Sequence, residues 1–179
     1  MILLVDIDGV LNNFVEVCVR MYNEAYGTEH DYKSVTTYDI ASSLGIENWD
    51  AFLNNYILSS RITDACEPTP EAPKYLKLIN EICTLYWVTA RDWCQLTNIN
   101  NWKGKFYPFI NDRQIIRCPD KNIIMGDILV DDNLDNLLSF SRGRICFDRP
   151  YNRDIDDNTN FITRVHNWQE CYDVIKLKL

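Results

Sequence analysis

The sequence predicts an α/β fold in which a doubly wound parallel sheet forms the core and a small helical cap is inserted after the first strand. Dense apolar runs predict strands that are covered on both faces, as in a parallel sheet. These runs are residues 2–5, 83–88, 114–117 with 123–130, and 144–147. Segments with helical spacing separate them, and this alternation of strand and helix favours a Rossmann-like core with helices on both faces.

The first strand leads into a helix and then into the predicted cap. Apolar side chains recur at helical spacing after the first strand, at Phe14, Val15, Cys18, Val19 and Tyr22. The second strand begins too far along the chain for a single crossover helix. The intervening residues mix aromatic and polar types, with a short helical pattern at residues 49–58. We therefore expect a small, mainly helical cap over the end of the sheet.

A proline-rich tract at residues 67–73 marks the return from the cap to the core, because prolines suit the first turn of a new helix. The predicted domains are a core of residues 1–13 and 74–179 and a cap of residues 14–73.

The composition limits which kinds of molecule the protein is expected to bind. The net charge of -8 argues against a nucleic-acid polymer, which normally binds a basic face. No apolar stretch is long enough to span a bilayer, so no membrane partner is expected. The seven scattered cysteines are interpreted as free thiols in a reducing cytoplasm. Neither His30 nor His166 has a cysteine at ligand spacing, which makes a zinc site improbable.

Polar residues directly follow several predicted strands, where ligands bind in a parallel sheet. They are Asp6 and Asp8, Thr89, and Asp131 and Asp132, with Lys121 in a loop nearby. Converging carboxylates repel one another and raise their pKa values, and a hard divalent cation relieves this repulsion. Ligation by oxygen alone suits Mg²⁺, which is therefore the expected cofactor. A single Asp here is more often a solvated turn or a helix cap, but two acidic pairs favour a functional site.

Four segments of the sequence resemble the motifs of the haloacid dehalogenase superfamily. They are Asp6-Ile7-Asp8-Gly9-Val10, Val88-Thr89, Lys121, and Gly126-Asp127-Ile128-Leu129-Val130-Asp131-Asp132. Within the superfamily, the sequence is most similar to the 5'(3')-deoxyribonucleotidases. Their opening Asp-x-Asp-Gly-Val-Leu-x-x-Phe corresponds to residues 6–14, and their Asp-Lys and Gly-Asp-Leu-Leu-Ile-Asp-Asp type segments correspond to residues 120–121 and 126–132.

The resemblance implies a role for each residue of the catalytic cluster. Asp6 is implied to be the nucleophile and a Mg²⁺ ligand, and Asp8 the general acid and base, with its main-chain carbonyl on the metal. Lys121 neutralises the transferring phosphoryl group, while Asp132 completes the metal shell with Asp131 beside it. Because a halide leaving group needs no proton, the presence of Asp8 favours a phosphatase over a dehalogenase.

On the substrate side, the resemblance implies that Thr89 binds a phosphate oxygen and that Phe14 contacts the nucleoside. The family commonly has Ser after this Thr, whereas here Ala90 follows and Arg91 comes next. Arg91 either replaces the lost phosphate contact or is only a surface charge. A second departure is Asn133, where mammalian relatives carry a basic residue.

The predicted function is Mg²⁺-dependent dephosphorylation of (deoxy)ribonucleoside monophosphates through an aspartyl-phosphate intermediate. One alternative is a phosphatase of another small phosphomonoester metabolite, because the motifs determine the reaction and the cap determines the substrate. The other is a catalytically silent binding domain, against which the intact motifs argue. The expected partner is a small nucleotide, and a homodimer is left open.

Overall fold

The computed structural model describes residues 1–57 and 60–179, and within them six strands form one parallel sheet. The strands are β1 (Ile2–Asp6), β2 (Thr84–Thr89), β3 (Ile115–Arg117), β4 (Ile128–Asp131), β5 (Gly143–Phe147) and β6 (Ile162–Val165). Their order in the sheet is β3-β2-β1-β4-β5-β6. The direction of winding therefore reverses beside β1, and this is the doubly wound fold that the sequence predicts.

The helices of the described residues lie before, between and after these strands. They are α1 (Phe14–Tyr26), α2 (Ile40–Leu44), α3 (Trp49–Ile57), α4 (Arg61–Ala65), α5 (Ala72–Ile82), α6 (Trp93–Phe106), α7 (Leu134–Ser139) and α8 (Trp168–Leu177). Short 3₁₀ helices occur at Tyr32–Ser34, Asp112–Gln114, Lys121–Ile123 and Pro150–Asn152. None of the helices within these ranges is both long and apolar enough to cross a membrane.

The central strand β1 is buried on both faces, which explains its unbroken apolar run. Successive side chains of a strand point to opposite faces. Leu3 and Val5 pack in one cluster with residues of α5 and α8. Leu4 packs on the other face with Leu129 and Leu137. Fully burying each such side chain contributes roughly 1.5 to 3 kcal/mol of transfer free energy, so the core holds the carboxyl end of β1 firmly.

The helices between β1 and β2 have a buried cluster of their own. Cys18 and Tyr22 of α1, Phe52 of α3 and Ile62 of α4 are among its members. The predicted helical pattern at residues 49–58 corresponds to α3, and residue 58 lies outside the described residues. The boundaries between core and cap remain a prediction.

The proline-rich tract runs back along the start of the insertion. Pro68 pairs with Asn12 in an isolated bridge, and the Thr69 amide donates to the Leu11 carbonyl over 2.9 Å. Pro73 lies in the first turn of α5, as its fixed backbone angle favours.

One sequence expectation about strands was wrong, and one strand was not identified. The apolar run at residues 123–130 is not one strand, because Ile123 closes a 3₁₀ helix and is 70% exposed. Strand β6 was not predicted, since it is short and its middle residues are only half-buried.

Six of the cysteines are free thiols, namely Cys18, Cys66, Cys83, Cys118, Cys146 and Cys171. The side chain of Cys94 lies outside the described part of the chain.

Candidate active site

Three carboxylates meet at the carboxyl ends of β1 and β4. Asp6 is the last residue of β1, Asp131 is the last residue of β4, and Asp132 follows it. Each offers an oxygen within 4.8 Å of the others. The Lys121 ammonium donates to Asp6 Oδ1 over 2.5 Å and to Asp131 Oδ2 over 2.7 Å. All four side chains are buried, so solvent screens their charges very little.

The charges in this cluster do not balance. Burial raises the pKa of Asp6 well above its ordinary value; Lys121 opposes that rise, and Asp131 and Asp132 add to it. Burial and the neighbouring Asp131 raise the pKa of Asp132 to about 7. For Lys121, burial alone lowers the pKa, but Asp6 and Asp131 outweigh it, so the pKa is raised and the ammonium stays charged. One lysine thus faces three carboxylates, and a divalent cation supplies the missing positive charge.

The donor set fits a hard divalent cation. Asp132 Oδ1 is buried and finds no hydrogen-bond partner among the described residues. A buried acceptor without a partner costs free energy, which a metal ion bound there removes. The ligand atoms are all oxygens, as Mg²⁺ and Ca²⁺ prefer.

Asp8 lies beside this cluster and forms a different set of contacts. Arg91 donates to both of its carboxylate oxygens, from Nε over 2.6 Å and from Nη2 over 2.7 Å. The Asn12 amide donates to Asp8 Oδ1 over 3.0 Å. Asn12 also accepts from the Gly9 and Phe14 amides, over 3.2 Å and 3.1 Å. It therefore organises the loop that carries Asp8, although the sequence analysis did not identify it.

Arg91 connects the core to the helices of the insertion. Its Nη1 donates to Thr63 Oγ1 of α4 over 2.5 Å, and its guanidinium lies 4.8 Å from the centre of the Phe14 ring of α1. The residue is only 9% exposed, so the alternative that Arg91 is a surface charge was wrong. Whether it also contacts a phosphate stays a prediction.

Thr89 closes β2 and is almost fully buried. Its hydroxyl oxygen accepts from the Arg91 amide over 3.1 Å, and the hydroxyl proton has no acceptor among the described residues, so it can donate to a ligand. Asn133 caps α7 by accepting from the Asp135 amide over 2.8 Å.

The turn after β5 also contributes to the site, and the sequence analysis did not identify it. Tyr151 donates to Asp132 Oδ2 over 2.5 Å, and the Asn152 amide donates to the Asp132 carbonyl over 2.8 Å. Arg149 Nε donates to the Gly9 carbonyl over 2.6 Å. Arg149 closely follows β5, but Tyr151 and Asn152 lie further along the turn, so the rule of polar side chains directly after an apolar run does not reach them.

A largely apolar cavity of about 240 Å³ opens next to the carboxylates. Asp8 and Asp132 form its polar end. Phe14, Ile40 and Trp49 of the insertion helices are among its apolar walls. The predicted site residues thus gather at one edge of the sheet, with Phe14 on the wall of an adjoining cavity.

A family model described as "5' nucleotidase, deoxy (Pyrimidine), cytosolic type C protein" matches the chain over residues 1–179. The 5'(3')-deoxyribonucleotidase of Clostridium acetobutylicum is 29% identical over 179 residues, which cover 93% of this chain and 90% of that protein. The 5'(3')-deoxyribonucleotidase of Bacillus subtilis is 44% identical over 69 residues, a match that spans only 38% of this chain and 38% of that relative's length.

Solved structures share the fold at low identity. A haloacid dehalogenase-like hydrolase from Streptococcus pneumoniae has a TM-score of 0.65 at 12% identity and covers 97% of both chains. A haloacid dehalogenase family hydrolase from Deinococcus radiodurans, solved with bound phosphate and sodium, has a TM-score of 0.63 at 11% identity, covering 94% of this chain and 92% of that one. At such identity the likeness shows the fold alone.

Proposed function

The chain belongs to the cytosolic type C family of 5'-nucleotidases, and from this premise we propose that it is a Mg²⁺-dependent phosphatase of (deoxy)ribonucleoside monophosphates. The reaction passes through an aspartyl phosphate on Asp6. One observation carries the proposal: Asp8 and the cluster residue Asp132 both line the apolar cavity. A phosphate at the cluster therefore has its esterified group directed towards that cavity.

In the first step, a carboxylate oxygen of Asp6 attacks phosphorus and the bond from phosphorus to the sugar oxygen breaks. Lys121 holds Asp6 Oδ1, and Oδ2 accepts no hydrogen bond from the described residues, so Oδ2 is the free nucleophilic oxygen. The departing sugar oxygen takes its proton from Asp8. The nucleoside leaves, and Asp6 carries the phosphoryl group.

In the second step, water attacks the same phosphorus and gives a proton back to Asp8. The bond from phosphorus to Asp6 breaks, which releases phosphate and restores the Asp6 carboxylate. Asp8, which gave up its proton in the first step, is the acceptor. In the first step Asp8 carries a proton, so one of its two bonds to Arg91 must open while the substrate is bound.

Asp6 and Asp132, with Asp131 beside them and the Asp8 carbonyl, would hold the Mg²⁺. When bound, the ion neutralises charge on the phosphoryl oxygens and stabilises the transition state. Lys121 adds a further positive charge, and the Thr89 hydroxyl donates to a phosphoryl oxygen. These donors are fixed before the substrate arrives, which makes them effective in catalysis.

The cavity supports a nucleoside as the leaving group. Aromatic walls such as Phe14 and Trp49 suit the flat face of a base, which stacks without regard to its identity. The free thiols support a reducing cytoplasm as the compartment, where nucleotide salvage or pool control takes place.

The test is an assay with a panel of ribo- and deoxyribonucleoside monophosphates, phosphorylated at 5' or 3', together with sugar phosphates. We expect hydrolysis of nucleotides with Mg²⁺ and none in excess chelator. Asp6→Asn is the matched control and should abolish turnover without changing the fold, because an amide is a poor nucleophile.

Undiminished activity in chelator would contradict the metal assignment. Faster hydrolysis of sugar phosphates than of any nucleotide would contradict the substrate class. Activity that persists in the Asp6→Asn protein would contradict the nucleophile.

A further inference from the structure

The turn between β5 and β6 reaches back to the first motif and to Asp132. It comprises Arg149 and the 3₁₀ helix Pro150–Asn152. Its side chains hold the Gly9 carbonyl, the Asp132 carbonyl and the Asp132 carboxylate. Asn152 is itself fixed, because its amide also donates to the Phe147 carbonyl over 2.9 Å. The turn is thus anchored to β5 while it contacts the site.

The Tyr151 hydroxyl occupies one oxygen of Asp132 and leaves the other open. It donates to Oδ2 over 2.5 Å, while Oδ1 is buried without a partner in the described part of the chain. A phenol carries an O–H that donates, whereas an ionised carboxylate only accepts, so Tyr151 is the donor of this hydrogen bond. A carboxylate held at one oxygen cannot rotate freely, and its second oxygen keeps a fixed direction.

The main chain at Gly9 lies directly against the hydrogen bond between Tyr151 and Asp132. Its φ of +78° lies in the left-handed region, which favours glycine. A Cβ at this position would lie 2.0 Å from Asp132 Oδ2 and 2.7 Å from the Tyr151 hydroxyl. The glycine of the first motif is therefore required by the Tyr151–Asp132 pair as well as by its backbone angle.

We propose that Tyr151 is a positioning residue for the metal site, in which its hydroxyl fixes the Asp132 carboxylate so that Oδ1 is presented to the divalent cation. This inference rests on the metal in the proposed function. Ring packing alone does not explain why residue 151 is a tyrosine. Its ring lies 5.9 Å from the Tyr38 ring, centre to centre, and this contact needs no hydroxyl. Tyr151→Phe separates the two roles, since it keeps the ring and removes the donor.

The experiment measures Mg²⁺ binding by calorimetry without substrate, so that its readout is independent of turnover. Partners that orient a metal ligand typically contribute 10- to 100-fold in affinity, and we expect Tyr151→Phe to weaken binding by roughly that factor. Tyr32→Phe is the matched control, because Tyr32 packs in the same cluster and its hydroxyl makes no hydrogen bond to Asp132. Its Mg²⁺ affinity should equal that of the parent protein.

A Tyr151→Phe protein that binds Mg²⁺ as tightly as the parent would overturn the proposal, as would an equal loss in Tyr32→Phe. A parent protein that binds no divalent cation would instead refute the metal in the proposed function, and the assignment of Tyr151 with it.

A second measurement needs no variant and covers the case in which Tyr151→Phe does not fold. The buried Tyr151 hydroxyl proton should give a slowly exchanging downfield proton resonance in the parent protein. That resonance should shift as Mg²⁺ is titrated. A resonance that stays in place while Mg²⁺ binds would overturn the proposal.

Discussion

On the metal side of the site, Asp6, Asp131, Asp132 and Lys121 all come from strand ends of the sheet or from loops between its strands. On the Asp8 side, the contacts of Asp8 run through Arg91 to Thr63 of α4 and to the Phe14 ring of α1. The first set is held mainly by the sheet and its loops, although Tyr151, which donates to Asp132, also contacts Tyr38 of the insertion. The second depends on how the insertion helices pack against the sheet.

The carboxylate cluster and the residues around Asp8 are therefore supported by different parts of the molecule. We expect a change in the insertion to leave Asp6 and Asp131 in place, because the buried strands β1 and β4 carry them and both carboxylates hold Lys121. The same change moves Thr63 or Phe14 and reaches Asp8 through Arg91. We therefore expect substitutions on the two sides to differ in how strongly their effects depend on the leaving group.

The largest effect on the Asp8 side is expected for Asp8→Asn. An amide cannot deliver a proton to the sugar oxygen, so nucleotide hydrolysis should fall by about 100-fold or more. Hydrolysis of nitrophenyl phosphate should fall much less, because nitrophenolate leaves with little protonation. The measurement is kcat for both substrates in the parent and variant proteins. Equal losses would contradict an effect confined to the leaving group, and would trace it to the second step, which both substrates share, or to misplacement of the residue.

A smaller effect is expected for Phe14→Ala, which tests the insertion side of the comparison. If the ring stacks on the base, its loss should weaken nucleotide hydrolysis by roughly 1 to 3 kcal/mol in kcat/KM. A small aryl phosphate, assayed in parallel, should be affected much less. Phe14→Leu serves as the matched control for apolar volume without an aromatic face, and we expect an intermediate loss. Equal losses for nucleotide and aryl phosphate would show that Phe14 is only packing against Arg91.

The sequence was most informative where a polar side chain directly follows a predicted strand. Asp6 and Asp131 could be placed because each closes an apolar run, and parallel strands bring their carboxyl ends to one edge. The fold followed from the same runs, apart from β6. That edge strand reads Ile-Thr-Arg-Val, which is too short and too polar to stand out.

Long-range partners could not be predicted from local pattern. Arg91 meets Asp8 across 83 residues, and nothing near Arg91 in sequence distinguishes a buried ion pair from a surface charge. Tyr151 lies 19 residues beyond Asp132, and its role depends on the angle at which the turn leaves β5. Such contacts are set by tertiary packing, which hydrophobic periodicity does not encode.

Passage of the phosphoryl group through Asp6 leaves a stereochemical signature at phosphorus. The substrate that reveals it is a nucleoside phosphorothioate made chiral at phosphorus by sulfur and two oxygen isotopes, hydrolysed in water that carries the third isotope. Two successive in-line displacements, first by Asp6 and then by water, each invert phosphorus. We therefore expect the released thiophosphate to retain its configuration, whereas inverted configuration would mean that water attacks the substrate directly and that Asp6 is not the nucleophile.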